Sequence, residues 1–135
     1  MVELLKIKIS GQGLHMITGK IAEIVAKSAI TNGLCTIFIR HTSASLLIQE
    51  NADPSARRDL ENWLNRLVPE NDPLYTHTLE GADDMPAHIK SALTASSLSI
   101  PVMHNELLLG TWQGIYLWEH RYFSGTREIA VHIGE

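Results

Sequence analysis

The sequence predicts a single α+β domain built on a mostly antiparallel sheet, and three observations carry that expectation. Period-two and period-3.6 hydrophobic patterns both occur along the chain. Read in order they give β-α-β-β-α-α-β-β-β, without the regular alternation that builds a doubly wound parallel sheet. The chain has 135 residues, inside the range of about 100–200 usual for one domain, so residues 1–135 form one unit.

In Val2 to Ile9, Leu5, Ile7 and Ile9 alternate with Leu4, Lys6 and Lys8, which is a strand with one wet face. Thr18 then opens a helix whose stripe is Ile21, Ile24, Val25 and Ser28, and Asn32-Gly33 stops it. Leu34 to Arg40 is almost continuously apolar and β-branched, the pattern of a strand buried on both faces, and Leu46 to Gln49 is its shorter neighbour. Asp53-Pro54 starts a second helix, because Asp accepts a free backbone N–H and proline at the first helical position forfeits no needed donor. Its apolar face is Leu60, Trp63, Leu64 and Leu67, and it ends before Pro69. Residues 69–81 lack periodicity and form a long loop, a kind of segment that often carries function. Asp83-Asp84 and Pro86 begin a third helix running to about Ala95. Strands follow at Leu98 to Met103, Leu107 to His120 with a bend near Gly110 or Gly114, and Thr126 to Ile133.

Composition excludes several function classes. With 44% hydrophobic and 19% charged residues the chain is globular, and its formal net charge of -4 opposes nonspecific contact with nucleic acid. No apolar run approaches the roughly 20 residues that cross a bilayer, and Met1 to Ser10 alternates rather than forming a signal-peptide core. The single cysteine, Cys35, sits in an apolar strand, where it reads as inert packing and fits a reducing, cytoplasmic setting. Seven histidines in so short a chain direct the search for function.

Three segments hold chemistry-bearing residues. His41 ends an apolar strand and opens a turn with Ser43 and Ser45, but no nucleophile elbow surrounds either serine, so turn formation or ligand binding is the better reading. The second segment contains His77, Glu80, Asp83, Asp84, His88 and Lys90. Asp84 and His88, four apart on a helix, share a face and can hold one ion, with His77 and Glu80 joining from the loop; the competing reading makes Asp84 a helix cap and His88 a packing residue. Such a set suits zinc or manganese, and one dominated by Glu80, Asp83 and Asp84 suits magnesium. The third segment is Gly110-Thr111-Trp112-Gln113-Gly114 followed by Glu119-His120-Arg121. Its glycines admit close backbone approach by a ligand, or simply mark a bulge. Arg121 and Arg127 present forks suited to phosphate oxygens. His15, His104 and His132 lack acidic neighbours at useful spacing and read as structural or surface residues.

Taken together, His41 to Leu46, Glu50 to Pro54, Glu80 to Ser91, Gly110 to Ile115 and Glu119 to Arg121 resemble the YjbQ family, also described as secondary thiamine-phosphate synthases. Met103-His104-Asn105-Glu106 departs from the family in lacking the glycine often found in that turn. The resemblance implies mostly antiparallel sheets forming a sandwich, a homotrimer, and a pocket where the histidine, acidic and Gly-Thr-Trp-Gln segments converge. It also implies a weak transferase joining hydroxymethylpyrimidine diphosphate to thiazole phosphate with release of diphosphate. For that reaction the expected catalytic residues are His41, Asp84, His88 and His120. Ser43, Ser45, Lys90, Thr111, Gln113, Arg121 and Arg127 are expected to bind substrate, and His77, Glu80, Asp83 and His88 to hold a divalent metal. The alternatives are a metal-dependent hydrolase of a small phosphorylated metabolite and a non-catalytic trimer that binds a metabolite or metal.

Overall fold

A computed structural model describes residues 1–135. The elements are β1 (Val2–Ser10), β2 (Gly13–Met16), α1 (Thr18–Lys27), β3 (Gly33–Ile39), β4 (Ala44–Glu50), α2 (Pro54–Leu67), α3 (Asp84–Leu93), β5 (Ser97–Met103), β6 (Glu106–Leu107), β7 (Gln113–Glu119) and β8 (Ser124–Gly134). They form two antiparallel sheets, one ordered β1-β8-β3-β5-β6 and the other β2-β7-β4. The α+β class and the antiparallel pairing agree with the sequence.

The core lies between the sheets. Ile7, Ile9, Ile37, Ile100, Ile129, Val131 and Ile133 of the large sheet cluster with Leu46, Ile115 and Leu117 of the small one, and α1 adds Ile21, Ile24 and Val25. The other face of β7 turns Trp118 onto Leu64 and Val68, so α2 packs on the outside of the small sheet. No helix is long and apolar enough to cross a membrane.

Four expectations need correction. The strand at β3 is buried on one face only: Cys35, Ile37 and Ile39 point inward, whereas Leu34 and Phe38 are exposed on the outer face. The expected strand from Leu107 to His120 is broken, because residues 108–112 loop out between the two-residue β6 and β7. The hydrophobic pattern does not predict β2. It is four residues long and exists by pairing with β7, and its entry needs Gly13 at φ +129°, where a Cβ would collide with the Glu61 carboxylate that accepts the Leu14 N–H. Finally, only Leu64 of the expected apolar stripe on α2 is fully buried, and Trp63 and Leu67 are exposed.

The departure at Met103 to Glu106 is resolved without glycine. Met103 pairs with Glu106, leaving His104 and Asn105 as a two-residue loop with φ of 54° and 62°. Left-handed φ at both central residues is the pattern of a type I′ hairpin, and asparagine tolerates it better than most residues. Asn105 Nδ2 also donates to Val25 O at 2.9 Å and Ile30 O at 2.7 Å, tying the hairpin to the end of α1. Asn105→Ala is expected to destabilise the fold by about 2 kcal/mol, combining lost hydrogen bonds with left-handed strain. Asn105→Gly should cost less because it removes only the bonds. Urea unfolding of the three proteins measures both, and equal losses would mean that the backbone there carries no strain.

Candidate metal centre

The site is built where the 69–81 loop meets the first turns of α3. Asp84, 2% exposed, presents Oδ2 to His77 Nε2 at 2.7 Å and to His88 Nε2 at 3.0 Å. The helical spacing stacks His88 over Asp84, and the loop brings His77 across so that the two imidazole centroids lie 5.3 Å apart. The three ligand atoms lie within 4.8 Å of one another.

Outer contacts orient His88 and Asp84. His88 Nδ1 donates to Thr42 O at 3.1 Å, which directs Nε2 toward Asp84. On the far side of the carboxylate, Arg121 Nη1 sits 3.2 Å from Asp84 Oδ1. Oδ1 is thereby engaged, and Oδ2 faces the two histidines. A histidine fixed through its other nitrogen to a carbonyl is the usual support for a metal ligand, and two imidazoles with one carboxylate are a fitting donor set for a divalent ion such as zinc or manganese. These residues fit a metal.

Arg121 also bonds Asp83 Oδ1 at 3.2 Å and Glu80 O at 2.7 Å, while Tyr122 N donates to Asp83 Oδ2 at 3.0 Å. Burial raises the pKa of each aspartate. For Asp83 the Arg121 and Tyr122 hydrogen bonds prevail, and for Asp84 His77, His88 and Arg121 prevail, so both stay below the usual carboxylate range. Asp83, expected as a metal ligand, therefore spends both oxygens on Arg121 and Tyr122, and Asp84 stands in the ligand position instead. Glu80 lies on the rim, its carboxylate 4.0 Å from His77 Nε2. Beside the triad is an open cleft of about 160 Å³ lined by Asn71, Asp72, Tyr75, Thr78 and Met85.

Apart from Arg121, the residues expected to bind substrate lie elsewhere. Arg127 forks onto Glu119, with Nε to Oε1 at 2.6 Å and Nη2 to Oε2 at 2.7 Å, and Nη2 also donates to Ser43 Oγ at 3.0 Å. Ser45 Oγ is 2.8 Å from His120 Nε2, and both residues are buried. Lys90, also buried, donates to Asn65 Oδ1, and burial lowers its pKa. These contacts spend Ser43, Ser45, Lys90 and Arg127 inside the fold, while the Arg121 fork is occupied by Asp83 and Asp84. Thr111 and Gln113 sit at the opposite end of β7, roughly 20 Å away at about 3.3 Å per strand residue. There Asn51 Nδ2 donates to their carbonyls.

The two remaining histidines also face inward. His41 Nε2 accepts the Glu128 N–H at 2.8 Å, and Arg127 Nη1 lies 3.3 Å from Nδ1. Burial and the Arg127 charge lower its pKa, and the ring clamps β8 rather than lining the cleft. His120 is pushed down to about 3 by burial, Lys90 and Arg127.

Sequence patterns assign no role to Glu119, to the Thr42 carbonyl or to Tyr75. For Tyr75 the aperiodic loop is the one signal. Glu119 stands within a motif of the family, but its partner comes from another strand.

The model of the family described as UPF0047 protein YjbQ-like matches residues 3–135. The chain belongs to this family. It is 53% identical over 131 residues to the UPF0047 protein sll1880 of Synechocystis, covering 97% of this chain and 89% of that protein. Against the UPF0047 protein YjbQ of Escherichia coli O157:H7 it is 44% identical over 126 residues, covering 93% and 91%. Among solved structures, a hypothetical protein from Aeropyrum pernix K1 superposes with a TM-score of 0.90 at 26% identity, covering 100% of this chain and 99% of that one. A protein from Sulfolobus solfataricus P2, described as YbjQ-like and of unknown function, gives a TM-score of 0.87 at 29% identity with coverage of 100% and 99%. Within this UPF0047 chain His77 and the acidic block form the triad, the Thr42 carbonyl of the histidine block supports it, and the Gly-Thr-Trp-Gln block does not join them.

The depressed His120 pKa has a consequence for stability. From about pH 6.5 down to about pH 3 the unfolded chain binds a proton at His120 that the folded chain refuses, so His120 makes stability fall with falling pH by at most about 1.4 kcal/mol per unit. His120→Asn removes that contribution. Urea midpoints at about pH 7 and about pH 4.5 are expected to fall less in the variant than in the wild type, and equal falls would mean that the ring protonates within the fold.

Proposed function

We propose that this UPF0047 protein is a metal-dependent transferase acting on a small phosphorylated substrate, and that its reaction is the one its motifs imply. The carrying observation is the convergence of His77, Asp84 and His88 beside an open cleft. In that reaction the thiazole nitrogen forms a bond to the methylene carbon of hydroxymethylpyrimidine diphosphate as the carbon–oxygen bond to diphosphate breaks. The main demand is to stabilise charge on the leaving group. A bound divalent ion supplies positive charge for those oxygens. The chain's part is to offset its own acids in part: Arg121 pairs with Asp83 and Asp84, which would otherwise repel a phosphate more strongly. Tyr75 and Thr78 of the cleft offer hydroxyls for positioning substrate, although Tyr75 already donates to Pro69 O.

A second reading is favoured by the size of the cleft. About 160 Å³ suits one small molecule better than two, and a nitrogen-rich ligand set suits zinc hydrolysis of a phosphorylated metabolite. The two separate in one experiment. The protein is incubated with both thiamine precursors, and with a panel of phosphorylated metabolites, each with magnesium, manganese or zinc. Thiamine phosphate formation that is lost in His88→Ala is the expected result. Phosphate release from another metabolite, with no product from the precursor pair, transfers the assignment to the hydrolase; metal binding without turnover leaves a binding module.

The reading includes a homotrimer in the cytoplasm. Leu34 and Phe38, with Val2 and Leu4, leave apolar surface on the outer face of the large sheet, and a copy seated there shields it from water. The thiol of Cys35, buried and free, is pushed up to about 11 by burial, which suits a reducing compartment. Light scattering is expected to give about three times the 15.0 kDa chain mass, and a monomer at micromolar concentration would exclude the assembly.

A further inference from the structure

We infer that the buried Glu119–Arg127 pair is a positioning device for the metal centre, acting on His88 and Asp84 from outside the ligand set. The inference rests on the metal-centre reading and extends it to residues that touch neither the cleft nor the ligands. Two arms leave the pair. On one, Arg127 Nη2 holds Ser43 Oγ at 3.0 Å, and the adjoining Thr42 carbonyl receives His88 Nδ1 at 3.1 Å. On the other, Glu119 Oε2 accepts the Arg121 backbone N–H at 3.1 Å, and the Arg121 side chain reaches Asp84 Oδ1 at 3.2 Å. One ion pair thus fixes both segments that orient the ligands.

The surroundings make the pair a rigid anchor. Glu119 is 0% and Arg127 8% exposed, and the Phe123 ring covers the guanidinium at 4.4 Å. Forked bonds leave each group one orientation, and a buried charge has no water to exchange for its partner. The Thr42 carbonyl and the Arg121 main chain lie on loops beyond β3 and β7, where regular sheet pairing has stopped. Without the pair these loops keep their chain connections and the His120 N–H bond to Ser43 O at 3.2 Å, and lose the side-chain anchor that holds both.

The test uses the full chain, with zinc alone as probe. Removing one charge strands the other and endangers folding, so the variant is the neutral pair Glu119→Gln with Arg127→Gln, which removes both charges together and keeps both positions polar. Zinc affinity is expected to fall about 10- to 100-fold, and the visible spectrum of the cobalt-loaded protein is expected to change, showing altered ligand geometry. A readout that needs no metal is the nitrogen NMR of His88, whose Nδ1 signal reports its contact with the Thr42 carbonyl and is expected to shift in the variant. A folded variant with wild-type zinc affinity and unchanged Nδ1 overturns the inference. If the wild type and His88→Ala bind zinc equally poorly, the metal reading fails, and the nitrogen signal alone decides the positioning role. Should the double variant not fold, Ser43→Ala severs one arm and is expected to weaken zinc several-fold with a shift of the Nδ1 signal; no change in either overturns the inference.

Discussion

The interaction on which the site end of this molecule depends is the ion pair between Arg127 and Glu119. Desolvating both charges costs several kcal/mol each, and a buried pair repays that cost only when its geometry is close to ideal and its remaining donors are used. Here the fork is bidentate, the spare Nη2 proton goes to Ser43, and Phe123 lies over the face of the guanidinium. The pair also joins the two layers, because Glu119 ends β7 in the small sheet and Arg127 lies on β8 in the large one. A sandwich held by apolar contacts alone tolerates small slips between its layers. One held at its end by a directional pair does not.

The triad inherits that rigidity through short connections and adds local rigidity of its own. Asp84 and His88 share a helix face, so their spacing is fixed by backbone geometry, and only His77 depends on the course of the long loop. Two ligands on a regular element with a third from an adaptable segment combine accurate placement with an open side. The solved structures at 26% and 29% identity keep the same architecture with TM-scores of 0.90 and 0.87. An alternating apolar pattern survives many substitutions of one aliphatic residue for another.

What is legible in the sequence is local chemistry. Asp53-Pro54 announces α2 because the cap acts within three residues, and Asp53 indeed accepts the Ser55 N–H at 2.9 Å. The four-residue spacing of Asp84 and His88 is enough by itself to put them on one helix face. Long-range decisions are not legible. Adjacent aspartates point about 100° apart on a helix, and which one meets the histidines is settled by Arg121, 38 residues away from Asp83. β2 and β6 are too short to show a period and exist through their partners β7 and β5. The apolar run at β3 conceals an outer face, since composition alone does not distinguish Phe38, exposed, from Ile37, buried. Serines and basic residues have the chemistry to hold phosphate wherever they occur, whereas this fold uses several of them to satisfy one another.

The pairing of β1 with β8 brings the two ends of the chain together: Val2 lies opposite His132, and the Met1 amino group reaches Ile133 O at 3.3 Å. β8 is also the strand that joins β1 to β3 in the large sheet. During synthesis the first strand leaves the ribosome without its only neighbour and waits for nearly the whole chain to follow. The large sheet therefore closes only once β8 has been made, with the high loop-closure cost of a contact between segments far apart in sequence. Until then the apolar side of β1 is open to chaperones and to other nascent chains.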